Sequence, residues 1–297
     1  MRAAAVAAIL ALAAVAGCRN DFDPASYLAP GSLRVLGVVA DPAEAVAGDT
    51  STLTVITPDL PEPVSYDWVV CTQPPPPGSS SVDPLCLEAD MGDFLVTQPG
   101  NGPSALVTMP ASASPTTLGI PDATGGFYVP VKVRATMGAA VLDTVYGLRL
   151  ALPGIEPPNH NPVIASASLV SEPLDASPMS VTELSADPAA PTPVAVGSEP
   201  TLRLQLTPES FEVYPQLTGT PPNTTIMMTT EQPRFFWYAD AGIFTNDTTG
   251  MDQPDTQLKL DDDKHHPPRA GDRINVIVVV RDERGGTAFT HRYLLVQ

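Results

Sequence analysis

The sequence contains two copies of one pattern, spaced by about 147 residues. Each copy has a single tryptophan, Trp68 in the first and Trp237 in the second. Near the end of each copy the matched pairs keep that spacing almost unchanged: Val129 with Val276, Val131 with Val278, Val133 with Val280, Gly138 with Gly285, and Tyr146 with Tyr293. An ordered series at a nearly constant offset indicates two related structural units. The chain is therefore expected to fold as two domains of one kind.

Short alternating segments predict that both units are all-β. In residues 64–71, Tyr66, Trp68 and Val70 fall on one face of a strand, and polar or smaller residues fall on the other. The 35 prolines and 21 glycines interrupt such segments throughout. Outside the N-terminal segment, apolar residues do not recur at helical spacing over three turns. About seven short strands per copy are expected.

The two copies differ in which connection is long. From Leu53 to Trp68 is 15 residues, whereas the matching interval from Leu202 to Trp237 is 35. After the tryptophan the first copy has the longer interval: from Trp68 to Val129 is 61 residues, whereas from Trp237 to Val276 is 39. Each copy is thus expected to carry an insertion that the other lacks.

With a tryptophan in an early-middle strand and a closing hairpin at residues 273–286, the chain resembles the immunoglobulin-like and PKD-like domains that bacterial surface lipoproteins carry in tandem. The resemblance covers Trp68, Trp237 and the run from Arg273 to Gly286. It implies two β-sandwiches, at residues 32–150 and 162–297, joined by a Pro-rich linker at 151–161.

The N-terminus has the layout of an export signal. Arg2 precedes an apolar run that ends in small residues directly before Cys18. Residues 15–18 look like the bacterial lipobox, which implies cleavage after residue 17 and lipid on the Cys18 thiol. Residues 18–31 are then expected to form a lipid-anchored tether. Arg19 after the cysteine favours the outer membrane within this resemblance. An ordinary signal peptide with a chance cysteine is the alternative.

Charge restricts the classes of partner. The chain has 33 acidic and 15 basic residues, a formal charge of −18. Such a chain repels the phosphates of nucleic acids and of anionic lipids, so no nucleic-acid partner is expected. Attachment to a membrane would depend on the acyl chains, each buried CH₂ contributing about 0.8 kcal/mol. The expected partners are an envelope protein or a polysaccharide.

The other two cysteines are expected to pair. If Cys18 carries lipid, Cys71 and Cys86 form an even pair in an exported protein, for which a disulfide is the default. The bridge would secure the Pro-rich excursion between them. Two free, buried thiols are the alternative.

Acidic residues of the second copy offer a weak calcium hypothesis. Asp261, Asp262, Asp263 and Asp282 could supply hard oxygen ligands, although no EF-hand spacing is present. A solvated run of charge explains the first three equally well. No cofactor is otherwise expected.

Phe236 and Tyr238 flank Trp237 and should lie on the outer face of its strand. As an exposed pair they could form a ligand platform for sugars or for a protein. Cover by the segment from Leu206 to Phe235 is the alternative.

The sequence shows no pattern that indicates catalysis. There is no G-x-S-x-G, no H-E-x-x-H and no phosphate-binding glycine loop. The favoured function is a non-enzymatic spacer or protein-interaction module, lipid-anchored in the cell envelope. The alternative is a carbohydrate-binding module for a wall or surface polysaccharide.

Overall fold

A computed structural model of the chain describes residues 24–71, 84–89, 96–118, 121–154, 157–171, 180–219, 223, 225–261 and 267–297. Residues 1–17, for which a signal peptide is predicted, and Cys18 lie outside these ranges. Two domains follow each other along the chain, and each is built almost entirely from β-strands.

The first domain contains eight strands among its described residues. They are β1 (Gly37–Asp41), β2 (Glu44–Ala45), β3 (Thr50–Ile56), β4 (Ser65–Cys71), β5 (Val96–Thr97), β6 (Ser104–Thr108), β7 (Tyr128–Met137) and β8 (Ala140–Leu150). Two short helices, Pro84–Glu88 and Pro115–Leu118, lie in the connections.

The second domain contains twelve strands among its described residues. They are β9 (Ile164–Ser171), β10 (Ser180–Glu183), β11 (Thr192–Val194), β12 (Thr201–Leu206), β13 (Val213–Thr218), β14 (Thr225–Thr230), β15 (Arg234–Ala239), β16 (Ile243–Phe244), β17 (Thr248–Gly250), β18 (Asp255–Lys259), β19 (Arg273–Arg281) and β20 (Thr287–Val296). A 3₁₀ turn spans Pro208–Ser210.

Both domains are immunoglobulin-like sandwiches with one shared topology. The first packs the sheet β1-β3-β6 against β2-β8-β7-β4-β5, and the second packs β10-β9-β12-β18-β16 against β11-β20-β19-β15-β17. In each domain a short early strand runs parallel to the last strand, β2 beside β8 and β11 beside β20. The remaining pairings are antiparallel. This repeated strand order confirms the all-β prediction of two tandem sandwiches.

A tryptophan fills the centre of each sandwich. Trp68 in β4 and Trp237 in β15 have no exposed surface. The Trp68 indole N–H donates to the Gly102 carbonyl at 2.7 Å, and that of Trp237 donates to Thr249 Oγ1 at 2.8 Å. Inward side chains of both sheets pack around each ring. Each indole is thus both desolvated and hydrogen-bonded, as a buried tryptophan requires.

The repeat holds, with one shift in register. Trp68 lies opposite Val133, whereas Trp237 lies opposite Val278. In the structure Val133 therefore corresponds to Val278, two residues before the Val280 that the sequence offset assigns to it. Side chains alternate with a period of two, so the shift leaves the same set of positions facing the core. The closing turn accounts for the difference, because Gly138 and Ala139 suffice between β7 and β8, whereas residues 282–286 connect β19 to β20.

The two insertions lie where the sequence intervals place them. In the second domain the long interval before Trp237 forms the antiparallel ribbon of β13 and β14. In the first domain the long interval after Trp68 contains the helix Pro84–Glu88. Cys86 in that helix forms a disulfide with Cys71 at the end of β4, with Cα atoms 5.6 Å apart. The predicted bridge is confirmed.

Candidate functional site at the contact between the domains

The two domains meet through apolar side chains on their outer faces. Leu36 and Ile56 of the first domain pack against Ile277 and Val279 of β19, and all four are almost fully buried. With Leu28 they form what we call the interface cluster. Strand β19 is apolar on both faces, since its alternate residues enter the core of the second domain. A strand of this kind is expected to be covered on both sides.

Hydrogen bonds across the boundary fix the two domains further. Arg281 Nη2 donates to the Leu36 carbonyl at 2.7 Å, and its guanidinium lies 5.1 Å from the centre of the Phe236 ring. In the linker, Asn161 Nδ2 donates to the Ala40 carbonyl at 2.6 Å. The Oδ1 atom of the same side chain accepts the Thr287 N–H at 2.8 Å. The linker therefore joins both domains through paired polar groups.

Residues 24–31 belong to the folded unit, which corrects the prediction of a tether for that part of residues 18–31, whereas residues 18–23 lie outside the described ranges. Tyr27 and Leu28 are buried, and the Leu28 N–H donates to the Ala239 carbonyl at 2.7 Å. Tyr27 forms a parallel β-bridge with Ala239 at the end of β15. Arg34 Nη1 donates to the Tyr27 carbonyl at 2.8 Å. From residue 24 onward the segment adds to a sheet of the second domain.

The predicted aromatic platform is covered. Phe236 and Tyr238 do lie on the outer face of β15, as the alternation around Trp237 requires. Both are half-buried and pack against the interface cluster. The cover comes from the first domain and the N-terminal segment, and not from the segment between Leu206 and Phe235. An open stacking surface for sugar rings is therefore not what these two side chains form.

A cleft of about 510 Å³ opens at one edge of the interface cluster. Its walls come from the N-terminal segment, from the loop after β3 and from the second domain: Leu28 to Ser32, Pro58 to Pro61, Asp240 and Asn275. Asn275 is the outward residue of β19 two positions before Ile277. The polar edge of the interface thus continues directly from its apolar centre.

Two carboxylates flank Asn275 in this cleft. Its backbone N–H donates to Asp240 Oδ1 at 2.9 Å, and its Nδ2 contacts Asp59 Oδ2 across the domain boundary at 3.3 Å. The Tyr293 hydroxyl donates to the same Asp59 oxygen at 3.3 Å. Burial raises the pKa of the Asp240 carboxyl to about 6, and the charge of Asp59 acts in the same direction. The site therefore concentrates negative charge.

A buried ionic cluster lies beside the linker, around Arg284. This side chain has no exposed surface and forms ion pairs with Glu231, at 2.7 Å, and with Glu212. It also donates to the Pro157 carbonyl at 2.9 Å. His160 contacts Glu212 from the linker side. Burial raises the pKa of Glu231 to about 7, although the hydrogen bond from Arg284 lowers it. One guanidinium thus serves several acidic groups.

Two of the four calcium candidates from the sequence, Asp261 and Asp282, lie in the described part of the chain, and they belong to no group of metal-binding side chains there. Asp261 is exposed, and Asp262 and Asp263 lie outside the described residues. Asp282 caps the turn before β20, because its Oδ1 accepts the N–H groups of Arg284 and Gly286, both at 2.8 Å. Among the described residues, no group of three or more His, Cys, Asp or Glu could hold a metal ion. Asp282 has a structural role in this turn.

The lipidation site, Cys18, also lies outside the described residues, so the lipobox prediction is untouched by the structure. No helix in the described part of the chain has the length and apolar character needed to span a membrane.

The sequence reasoning missed Asp59, Asn275 and Arg284. Asp59 follows a strand of one domain and meets a strand of the other, a proximity that no local pattern encodes. A signal was present for Asn275, which is the one polar position in the otherwise apolar run from Ile274 to Val280. Arg284 lies in a polar turn, where burial of an arginine is not expected.

Comparisons with known proteins add no family. No family model matches the chain, and no curated protein matches it. Among solved structures, a chimeric titin Z1Z2 functionalized with a KLER peptide from decorin is 14% identical and covers 91% of this chain and 99% of its own, with a TM-score of 0.21. Drosophila OTK extracellular domains 3–5 are 8% identical, covering 92% and 100%, with a TM-score of 0.19. Three N-terminal domains of the bacteriophage RB49 outer capsid protein Hoc are 10% identical, covering 90% and 99%, with a TM-score of 0.18. TM-scores this low do not support a structural relationship, so the immunoglobulin-like fold is assigned from the strand order.

Proposed function

We propose that the protein is a lipid-anchored, non-enzymatic spacer of the bacterial cell envelope that presents a protein-interaction surface. The observation that carries this proposal is the contact between the domains. Two sandwiches on a simple linker would move independently, because interfaces within a chain are often small and polar. Here the interface cluster, the linker bonds and the N-terminal segment support one rigid body.

The position of the N-terminal segment supports anchoring at one end of this body. Only a few residues separate Cys18 from Pro24, and an extended chain spans at most about 3.6 Å per residue. Tyr27, which bridges to Ala239, is nine residues from Cys18, so a lipid on Cys18 would hold that end of β15 within about 30 Å of the membrane surface. The signal peptide, palmitate and outer-membrane location belong to this proposal.

The ribbon of β13 and β14 is the proposed interaction surface. It precedes β15 and so extends from the end of that strand opposite the N-terminal segment. Five of its apolar side chains are 41% to 70% exposed: Val213, Leu217, Ile226, Met227 and Met228. Neither strand contains a charged residue, although the chain carries −18. Depletion of charge with exposed Met and aliphatic side chains is typical of the core of a protein interface.

We commit to an extended segment of a partner protein as the occupant of this surface. Among the described strands, β14 pairs only with β13, so its other edge presents backbone donors and acceptors. The opposite edge of the ribbon is partly used, since the Leu217 N–H donates to the Ala123 carbonyl at 3.1 Å. An uncharged edge strand without proline is a template for strand addition.

Site-specific photocrosslinking in cells tests this function. A photoreactive residue at Met228 should yield an adduct with a second, different polypeptide, whereas the same residue at Val181, equally exposed but on β10, should not. An adduct of twice the chain's own mass, or no protein adduct at Met228, would contradict the proposed occupant.

The anchor is tested separately by Cys18→Ser. This variant should leave the membrane fraction or remain unprocessed. Normal maturation with retention in the detergent phase would contradict the lipid anchor.

A further inference from the structure

Three oxygen-bearing side chains from two domains converge in the cleft at Asp59. Asp59 comes from the first domain, and Asp240 and Asn275 from the second. The two carboxylates contact the backbone and the side chain of Asn275, respectively. Their convergence depends on the contact between the domains and does not exist in either one alone.

Two acidic residues alone would not make a site, but Asn275 supplies an independent sign of a ligand. Its side chain is only 6% exposed, and its Oδ1 atom has no hydrogen-bond partner among the described residues. A buried amide oxygen without a partner is unfavourable, because it has lost its hydration and gained no hydrogen bond in return. Asn275 lines the cleft, and its Nδ2 donates to Asp59 across the boundary. A cation would satisfy this oxygen.

We propose that Asp59, Asp240 and Asn275 form a site for Ca²⁺, which bridges the two domains at the edge of the interface cluster. Carboxylate and amide oxygens are the ligands that Ca²⁺ prefers, in a flexible shell of six to eight. The cleft is large enough for water molecules to complete this shell. This inference is independent of the proposed anchoring and of the ribbon.

The charged groups around the site are compatible with a bound cation. Arg273 is a positive group whose charge acts on Asp240. Its guanidinium donates to the Pro188 carbonyl at 3.1 Å and lies against the Tyr293 ring. The His291 pKa is lowered by burial, which keeps that ring neutral at physiological pH. Among the described residues that line the cleft, Asp59 and Asp240 are the only charged ones. The net charge facing the cleft is therefore negative.

The site explains an otherwise unfavourable arrangement. Two like charges brought together by domain packing repel each other, and the burial of Asp240 adds a desolvation cost. A divalent cation converts both effects into attraction between the domains. Because only two carboxylates are present, the affinity should resemble that of weak extracellular sites, with a Kd of roughly 0.1–1 mM.

The test is calcium titration of the full chain after treatment with EDTA. Isothermal calorimetry with CaCl₂ should give one site, and 10 mM CaCl₂ should raise the midpoint of thermal unfolding by a few degrees. Tb³⁺ should bind with luminescence sensitised by Tyr293, whose hydroxyl contacts Asp59.

Matched variants separate this site from charge screening. Asp59→Asn and Asp240→Asn should each weaken Ca²⁺ binding at least tenfold. Both should leave the calcium-free midpoint unchanged or raised, because each removes a repulsive charge while an amide oxygen can still accept the native bond. Asp261→Asn makes the same charge change at an exposed position and should bind Ca²⁺ normally.

Equal loss of binding in Asp261→Asn would overturn the proposal, as would undiminished binding in the double variant Asp59→Asn/Asp240→Asn. A midpoint that rises equally with KCl of the same ionic strength would also overturn it, since the effect would then be screening alone.

Discussion

The two domains present the same five-stranded sheet to their surroundings, but the outer faces of these sheets differ in chemistry. In the second domain, β19 directs Ile277 and Val279 outward, and both are fully buried by the first domain. In the first domain, the equivalent β7 places Lys132 and Arg134 on this face. Lys132 is buried there and its Nζ donates to the Ala89 carbonyl at 3.1 Å, whereas Arg134 pairs with the exposed Asp143 at 2.8 Å. Because the two domains share one topology, the outward side chains determine which of the two sheets forms the interface.

The largest test of this comparison places a charge on the covered sheet. Val279→Lys should lower the free energy of unfolding by about 4 kcal/mol, because an ammonium group without a partner would be buried in the interface cluster. Chemical denaturation measures the loss.

The matched control places the same charge on the equivalent sheet of the first domain. Val141 lies opposite Thr136 and is exposed, so Val141→Lys should change stability by less than about 0.5 kcal/mol. Equal effects of the two lysines would break the comparison.

The next prediction concerns the N-terminal segment. Leu28→Ala should cost about 3 kcal/mol, since it leaves a cavity beside Ile277 and Val279. Leu106→Ala, at an exposed position of β6 in the first domain, serves as the control and should leave the free energy of unfolding nearly unchanged. Urea denaturation of both variants compares them. An effect of Leu28→Ala as small as that of the control would mean that the segment is not part of the fold.

The disulfide gives a smaller effect that is confined to one domain. A bridge closing about 15 residues contributes roughly 3 kcal/mol in the chain-entropy model, and the prolines in the loop should reduce this to about 2 kcal/mol. Hydrogen exchange of Cys71→Ser/Cys86→Ser should show loss of protection around β4 with β15 unchanged. Equal loss at β15 would indicate that the bridge acts on the whole molecule.

The smallest expected effect is a pH dependence from the Arg284 cluster. Burial raises the pKa of Glu231 to about 7 in the folded protein, above about 4.3 in an unfolded chain. The folded state then holds more protons between these values, so the free energy of unfolding should fall as pH rises from about 5 to about 7. We expect a change of about 1–2 kcal/mol, since one pKa unit corresponds to about 1.4 kcal/mol.

Urea denaturation across that range measures the slope. The charges of Arg284, Asp282 and Glu212 act on the Glu231 carboxyl. Glu231→Gln should flatten the slope, whereas Glu199→Gln, at an exposed position, should leave it as in the parent chain. An unchanged slope in Glu231→Gln would assign the dependence to other groups.

Much of the fold was readable because it depends on local patterns. Alternation around Trp68 and Trp237, and the constant offset of the closing valines, predicted two sandwiches and the position of both insertions. The even pair of cysteines expected in an exported protein likewise predicted the bridge between Cys71 and Cys86. The register of β19 was misread by two residues, because a period of two makes neighbouring alignments equivalent.

The contact between the domains could not be read in the same way. It depends on outward residues of β1, β3 and β19, whose mutual packing no periodicity specifies. The sequence did contain one overlooked sign, since β19 is apolar at Ile277 and Val279 as well as at its core positions. The N-terminal segment was misassigned because Tyr27 and Leu28 lie among polar residues and prolines, which usually mark a tether.

The central claim is that the two domains form one rigid body, and a distance distribution between them tests it most directly. Spin labels at Val145→Cys and Val181→Cys, in a chain that also carries Cys18→Ser, report across the interface. Labels at Val181→Cys and Val196→Cys report within the second domain and set the width expected for a rigid pair. Pulsed electron paramagnetic resonance should give a distribution across the interface as narrow as the one within the domain, and Val279→Lys should broaden it. A broad distance distribution across the interface in the labelled chain without Val279→Lys would contradict the claim.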